Sequence, residues 1–230
     1  FQWDSQQFIE LLEKIKQHYN IQKIILNGDI YELHKYSFKE LTQSRRELLN
    51  YLRQKDFIYI KGNHDLDAPF GISHYLFENS KGKKIYIEHG HKGDPFNGTT
   101  LGRNFGKLFL KQFRRIAMNP FFQNLYLKGL TYSEDLKKIR KYKSYRYAKY
   151  ACHLFKRYDV VILGHSHKLE AHKTYYLNEK KRYLNSGTCS LGRFQGILLN
   201  TETLKFEILK IDKNEFLSYT KETLEFPFSA

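Results

Sequence analysis

Four apolar runs in this chain each end in a turn that joins Gly to Asp, Asn or His. The runs are IQKIIL before Gly28-Asp29, DFIYI before Gly62-Asn63-His64-Asp65, KKIYIE before His89-Gly90-His91, and DVVIL before Gly164-His165-Ser166-His167. Each has the length and the β-branched or aromatic content of a buried strand bounded by turn residues. The pattern predicts an α/β fold whose strand ends deliver polar side chains to one sheet edge, where open sheets bind ligands. Asp, Asn and three or four His converging there would form a mixed oxygen and nitrogen cage suited to a divalent metal.

Taken singly, the motifs are weak. A Gly-Asp pair after a strand is a common turn, and every member of Gly-Asn-His-Asp favours turns or left-handed backbone. His165 and His167 say more, because two His at i and i+2 after a strand rarely serve packing. His89 and His91 are similar, although a hydrogen bond alone would account for one of them. All four motifs at strand ends, in a fixed order, leave coincidence a poor account.

In that order these residues resemble the calcineurin-like metallophosphoesterase superfamily, whose pattern runs D-x-H, GD, GNHD, H, GHxH. Within it, Gly28-Asp29-Ile30-Tyr31-Glu32 and the long insertion before Gly164 are most similar to the UDP-2,3-diacylglucosamine pyrophosphohydrolase branch. The best-known members of that branch carry GNRD where this chain has Gly62-Asn63-His64-Asp65. The resemblance implies an α/β/β/α two-sheet sandwich, with residues 1–100 and 158–230 as core and residues 101–157 as an inserted helical cap. It also implies two divalent ions, manganese by resemblance, with Fe, Zn, Co or Ni admitted by the same donors. Asp29 would bridge them. Asn63, His89 and His165 would complete one ion, and His167 would bind the other with the Asp-x-His pair. His64 takes the catalytic role, protonating the leaving oxygen or steadying its charge. His91 and Arg103 are substrate contacts, though a backbone hydrogen bond that holds the turn accounts for His91 nearly as well. Asp94 either orients a ligand histidine or opens a turn with Pro95.

No D-x-H triplet occurs in these residues, although the pattern places one before Gly28-Asp29. The chain opens on Phe1 and its one Met is Met118. The expectation is that a leading strand with its ligand pair precedes the residues given, the alternative being a degenerate relative.

Charge is the second informative feature. The formal net charge is +15, and residues 101–157 hold fifteen Lys or Arg against two acids, Glu134 and Asp135. Leu101, Phe105, Leu108, Phe109, Phe113 and Ile116 recur at helical spacing, and Asn119-Pro120 should end that helix. Ser133 then caps a long helix running toward Phe155. Three readings of this segment stay open: a cap whose charges are merely solvated, a basic and aromatic surface for nucleic acid, or a face on an anionic membrane. Its bulky apolar content, Phe121-Phe122 through Leu130 above all, favours lipid.

Elsewhere, residues 4–18 read as an amphipathic helix and 40–54 as another. Runs around Tyr183–Leu184, Ile197–Leu199 and Phe206–Ile211 read as three strands of a second, mostly antiparallel sheet. Two cysteines, Cys152 and Cys189, are too few for a disulfide framework or a zinc site and read as buried or inert thiols. No secretory leader or membrane span stands out, so the expected place is the cytoplasm, peripheral on the inner face of the membrane. The leading expectation is a dimetal pyrophosphohydrolase that cleaves UDP-2,3-diacylglucosamine to UMP and a lipid sugar phosphate in lipid A synthesis. The alternatives are a broad phosphodiesterase or nuclease, and a non-catalytic interaction module.

Overall fold

The computed structural model describes residues 3–33, 36–94, 137–190 and 192–213, with backbone alone for 137–144. Helix α1 spans Ser5–His18. Asp4 caps it by accepting the Gln6 and Gln7 N–H groups at 3.0 and 3.3 Å, and Phe8, Leu11, Leu12 and Ile15 form its buried stripe. The helix expected over 40–54 is two helices, α2 at Phe38–Ser44 and α3 at Arg46–Tyr51. A capping box between Ser37 and Glu40 starts α2 early. The Thr42 and Ser44 hydroxyls then bond back to the Phe38, Lys39 and Leu41 carbonyls, which weakens the last turn and lets the chain kink at Arg45.

Strands β1 (Ile24–Asn27) and β2 (Phe57–Ile60) form a parallel pair. Strands β3 (Tyr75–Glu78), β4 (Lys84–Ile87), β5 (Val160–Leu163), β6 (Leu169–Tyr176) and β7 (Glu179–Ser186) form a five-stranded sheet in the order β3-β4-β5-β7-β6. Strands β8 (Arg193–Leu199) and β9 (Phe206–Asp212) make an antiparallel pair. The stretch around Tyr183–Leu184 therefore does not join the later strands. It lies in β7, parallel to β5 and antiparallel to β6. The cause is local: Leu177 and Asn178 both take left-handed backbone, with φ of 49° and 63°, and close β6 onto β7 as a tight hairpin.

Three apolar clusters stack these elements into layers. Trp3, Phe8, Leu11 and Leu48 from the α1 and α3 side pack with Phe194, Leu209 and Ile211 and against Ile24, Leu26 and Phe57. Ile60, Ile85, Ile87, Val160, Ile162 and Leu184 meet Ile25, Ile197 and Phe206 between the sheets. Helix α4 (Lys137–Leu154) covers the far face of the five-stranded sheet, where Tyr147 and Ala151 of the helix and Phe155 just beyond it lie on Val161, Leu163 and Tyr183. The expected α/β/β/α sandwich is what the chain forms. In β5 all four residues are buried, alternately toward the two layers, whereas β1, equally apolar in its first three residues, is half-buried throughout. Beyond β2, no described strand pairs with β1.

One ion cluster staples the five-stranded sheet. The Asp159 carboxylate accepts the Lys84 N–H at 2.9 Å and the ammonium groups of Lys83 and Lys181 at 3.2 and 3.1 Å. Burial would push this carboxyl up, but those donors outweigh it and hold its pKa below the ordinary carboxylate range. A carboxyl whose pKa falls on folding stabilises the protein above the unfolded value, near ~4, and loses that contribution as pH drops through the folded value. Asp159→Asn should therefore cost about 1–3 kcal/mol in denaturant melts at neutral pH. The gap between variant and parent should narrow below pH ~4 and close as pH falls through the lower folded value; a gap unchanged down to pH ~1 would mean the carboxylate is not its source.

Candidate metal centre

The four motifs converge, but not on one sheet. Gly28-Asp29 and Asn63-His64 follow β1 and β2 of the two-stranded sheet, while His89 and His165 follow β4 and β5 of the five-stranded one. Parallel pairing within each sheet brings each pair of strand ends to one level, and the sandwich sets the two pairs face to face. The centre is thus an inter-sheet cleft rather than a single sheet edge.

Its middle is His89, which is 2 % exposed. The Nδ1 atom lies 2.8 Å from the Asn27 carbonyl oxygen. A carbonyl only accepts, so Nδ1 carries the hydrogen and Nε2 is the nitrogen turned inward, able to hold a proton or a metal ion. That Nε2 sits 3.0 Å from Asp29 Oδ2 and 3.1 Å from His165 Nδ1. Asp29, His89 and His165 place one ligand atom each within 4.8 Å of one another, the metal-type group found among the described residues. Burial alone would lower the His89 pKa, yet the Asp29 carboxylate overcomes it and carries the ring above its ordinary value. Asp29 answers in kind: burial would raise its carboxyl, but His89 and His64 hold it far below the usual range. The carboxylate thus favours positive charge at Nε2, carried by a proton or by a metal ion in the proton's place.

The surrounding residues orient this set. Asp29 adopts left-handed backbone, φ 55°, and its Oδ1 accepts the His64 N–H at 2.9 Å. Gly62 is required here, because any Cβ at that position would collide with the Asp29 carboxylate. Asn63 is 2 % exposed and its Oδ1 has no hydrogen-bond partner. An amide oxygen buried this way costs free energy unless something electropositive meets it, so Asn63 fits a metal ligand. On the far side of His165, Nε2 lies 3.8 Å from Asp94 Oδ2, and the Tyr147 hydroxyl stands 3.5 Å from the same oxygen. Of the two roles left open for Asp94, its position supports orienting a histidine. Burial, then the neighbouring His89, lower the His165 pKa despite Asp94.

His64 turns its Nδ1 to Glu32 Oε1 at 2.7 Å. His91 is buried, its ring centroid 5.9 Å from that of His89, and its Nδ1 has no hydrogen-bond partner. That leaves the turn-holding hydrogen bond without a donor or acceptor at Nδ1. Burial and the two neighbouring imidazoles push its pKa down to about 4, so the ring is neutral at pH 7. His167 follows His165 with φ 57°, is exposed, and stands outside the Asp29–His89–His165 group. Arg103 lies outside the described residues, as do residues 95–136 of the loop and cap. Cys152 is exposed on α4 rather than buried, and Cys189 is half-buried, where burial pushes its thiol up to about 11.

Two contributors escape a reading of the motifs alone. Asp65 is fully buried and accepts the Ile30 and Tyr31 N–H groups at 2.7 and 3.1 Å and the Gly62 N–H at 2.6 Å. It ties the turn after β1 to the turn after β2. Glu32 falls in the quoted Gly28–Glu32 stretch, but nothing in its spacing signals contact with a histidine 32 residues on.

A family model described as calcineurin-like phosphoesterase matches residues 2–169. The chain belongs to the calcineurin-like phosphoesterase family. It is thereby a metallophosphoesterase-type chain, from a family of metal-dependent phosphoester hydrolases. Among solved structures, this phosphoesterase is similar to a conserved protein of Streptococcus pneumoniae described as a predicted phosphoesterase, at 15 % identity over 92 % of this chain and 84 % of that one, TM-score 0.40. It is similar to a novel archaeal phosphodiesterase at 16 % identity, covering 90 % of this chain and 96 % of that one, TM-score 0.39. Wild-type Vps29 of Entamoeba histolytica complexed with zinc matches at 16 % identity over 83 % of this chain and 97 % of that one, TM-score 0.35. No curated protein matches the phosphoesterase. None of its described helices is long and apolar enough to cross a membrane.

Proposed function

We propose that this phosphoesterase hydrolyses phosphoester or pyrophosphate bonds at two divalent ions, and that its substrate is a nucleotide-linked lipid of the UDP-2,3-diacylglucosamine type. The observation that carries the hydrolytic reading is the facing set of Asp29 Oδ2, His89 Nε2 and His165 Nδ1 beside the orphaned Asn63 Oδ1. Those four residues would hold one ion, and Asp29 together with His167 would contribute to a second. Ions bound there would supply Lewis-acid charge at the phosphoryl oxygens and a water acidified enough to attack at neutral pH.

The chain's own groups do the rest. The His64 N–H holds the Asp29 carboxylate in place. Glu32 accepts from His64 Nδ1, which favours an imidazolium whose Nε2–H can give a proton to the departing oxygen. Neutral His91, buried beside His89 and His165, can accept or donate one hydrogen bond to the substrate phosphate.

The lipid part rests on the sequence similarity of Gly28–Glu32 and on residues 101–157, where bulky apolar side chains alternate with fifteen cations. Purified protein with manganese should turn over UDP-diacylglucosamine at least ~10²-fold more efficiently than an aryl phosphodiester or single-stranded DNA. Equal turnover of all three would leave a broad phosphodiesterase. The charge reversal of Arg114, Arg115, Lys137 and Lys138 to Glu should weaken binding to anionic vesicles, and added salt should do the same to the parent. Hydrolysis of a soluble aryl phosphodiester should barely change. If single-stranded DNA competes strongly with the vesicles, the polyanion reading replaces the lipid one.

A further inference from the structure

Arg46, Asn50 and Arg53 stand at i, i+4 and i+7, so α3 and the turn after it present them on one side. Across from them stand Thr42 and Gln43 of α2, with Leu49 at the floor, around a groove of about 310 Å³. None of these six residues is acidic, and no described carboxylate pairs with Arg46 or Arg53. The nearby Glu40 is already taken by the Ser37 capping box. Arg53 is held in place: its guanidinium carbon lies 5.0 and 5.6 Å from the ring centroids of Phe70 and Phe38. A guanidinium stacked through its face keeps its N–H edge for an oxyanion, and losing little entropy on binding it gains affinity.

The same stack reaches the metal centre. Tyr31 lies two residues past Asp29, is 3 % exposed, and donates its N–H to Asp65, the residue that ties the two ligand-bearing turns. Its ring also meets Phe38, Tyr59 and Phe70 at centroid distances of 5.4, 5.8 and 5.7 Å. Arg53 therefore rests on an aromatic block that backs the turn carrying Asp29 and Glu32.

We propose that the α2–α3 groove is a second, metal-independent anion site that takes a phosphate group between Arg46 and Arg53, with Asn50, Gln43 and Thr42 supplying neutral hydrogen bonds. The phosphate can come from a distal group of the substrate or from a free phosphate compound acting as effector; the first source rests on the hydrolytic reading above, the site itself does not.

The test begins on protein kept free of metal by chelator, titrated with inorganic phosphate and followed by two-dimensional NMR of the arginine Nε–H groups. Saturable shifts of two arginine signals are expected, one of which disappears in Arg46→Gln. Affinity should fall about tenfold in Arg46→Gln and at least as far in Asn50→Asp, which places a charge in the groove. Both positions are exposed, so both variants should melt as the parent does. Absent saturation, or phosphate affinity unchanged in both variants, overturns the site whether or not the enzyme hydrolyses anything. Kinetics of metal-loaded protein then separate the sources. If KM in Arg46→Gln rises only for substrates that carry a second phosphate, the distal group is the occupant. If KM is unchanged for every substrate while phosphate affinity is lost, the occupant is a free effector.

Discussion

Asp29→Ala is expected to lower turnover by about 10³-fold or more and to strip the centre of most of its metal, with the sandwich still folded. The size follows from position. Asp29 is the one carboxylate in the facing set, and its oxygens already engage His89 Nε2 at 3.0 Å and the His64 N–H at 2.9 Å. Removing it leaves His89 and His165 facing each other at 3.1 Å with no anion to gather a cation. Alanine also loses the local tolerance that Asp has for φ 55°, so Asp29→Asn is the better-folded companion. Both variants should show parent-like far-ultraviolet circular dichroism. Elemental analysis should find the metal reduced in both. Full metal content together with parent-like rates in either would remove Asp29 from the centre.

The second large effect belongs to His64. His64→Ala should lower kcat by about 10²–10³-fold while metal content stays near that of the parent, because the backbone N–H that orients Asp29 survives the change. The loss should be greatest for alkyl leaving groups, which need the proton, and small for nitrophenolate, which does not. Glu32→Gln should fall between, about tenfold, because an amide still touches Nδ1 but no longer supports charge on the ring. A His64 variant that loses metal as completely as Asp29→Ala would make His64 a ligand instead of an acid.

Much of the fold was legible from periodicity. The stripe Phe8, Leu11, Leu12 and Ile15 with Asp4 ahead of it is α1 as read, and the run Val160–Leu163 is a strand buried on both faces. The misreadings came where short-range chemistry overrode the pattern. Hydroxyls of Thr42 and Ser44 divided one expected helix into α2 and α3, and the left-handed pair Leu177-Asn178 drew Tyr183–Leu184 into the five-stranded sheet.

The centre shows the same division. The order Gly28-Asp29, Asn63-His64, His89, His165 is a property of the sequence, because each strand must end in a turn and the turn residues are the ligand types. That order was sufficient to point to a metal-dependent phosphoesterase family. Which atoms face one another is a different matter. Asp29 Oδ2, His89 Nε2 and His165 Nδ1 meet only because two separate sheets pack with their strand ends level. The hydrogen on His89 Nδ1 is set by the Asn27 carbonyl, 62 residues away, and the partner of His64 by Glu32, 32 residues away. Those choices depend on distances of about 3 Å between chain segments that local propensity does not bring together. The sequence by itself determined the donors and their order, since strand and turn propensities are local. Tertiary packing decided their protonation, their partners and their shared cation-holding cleft, since burial and proximity exist only once the two sheets have closed on each other.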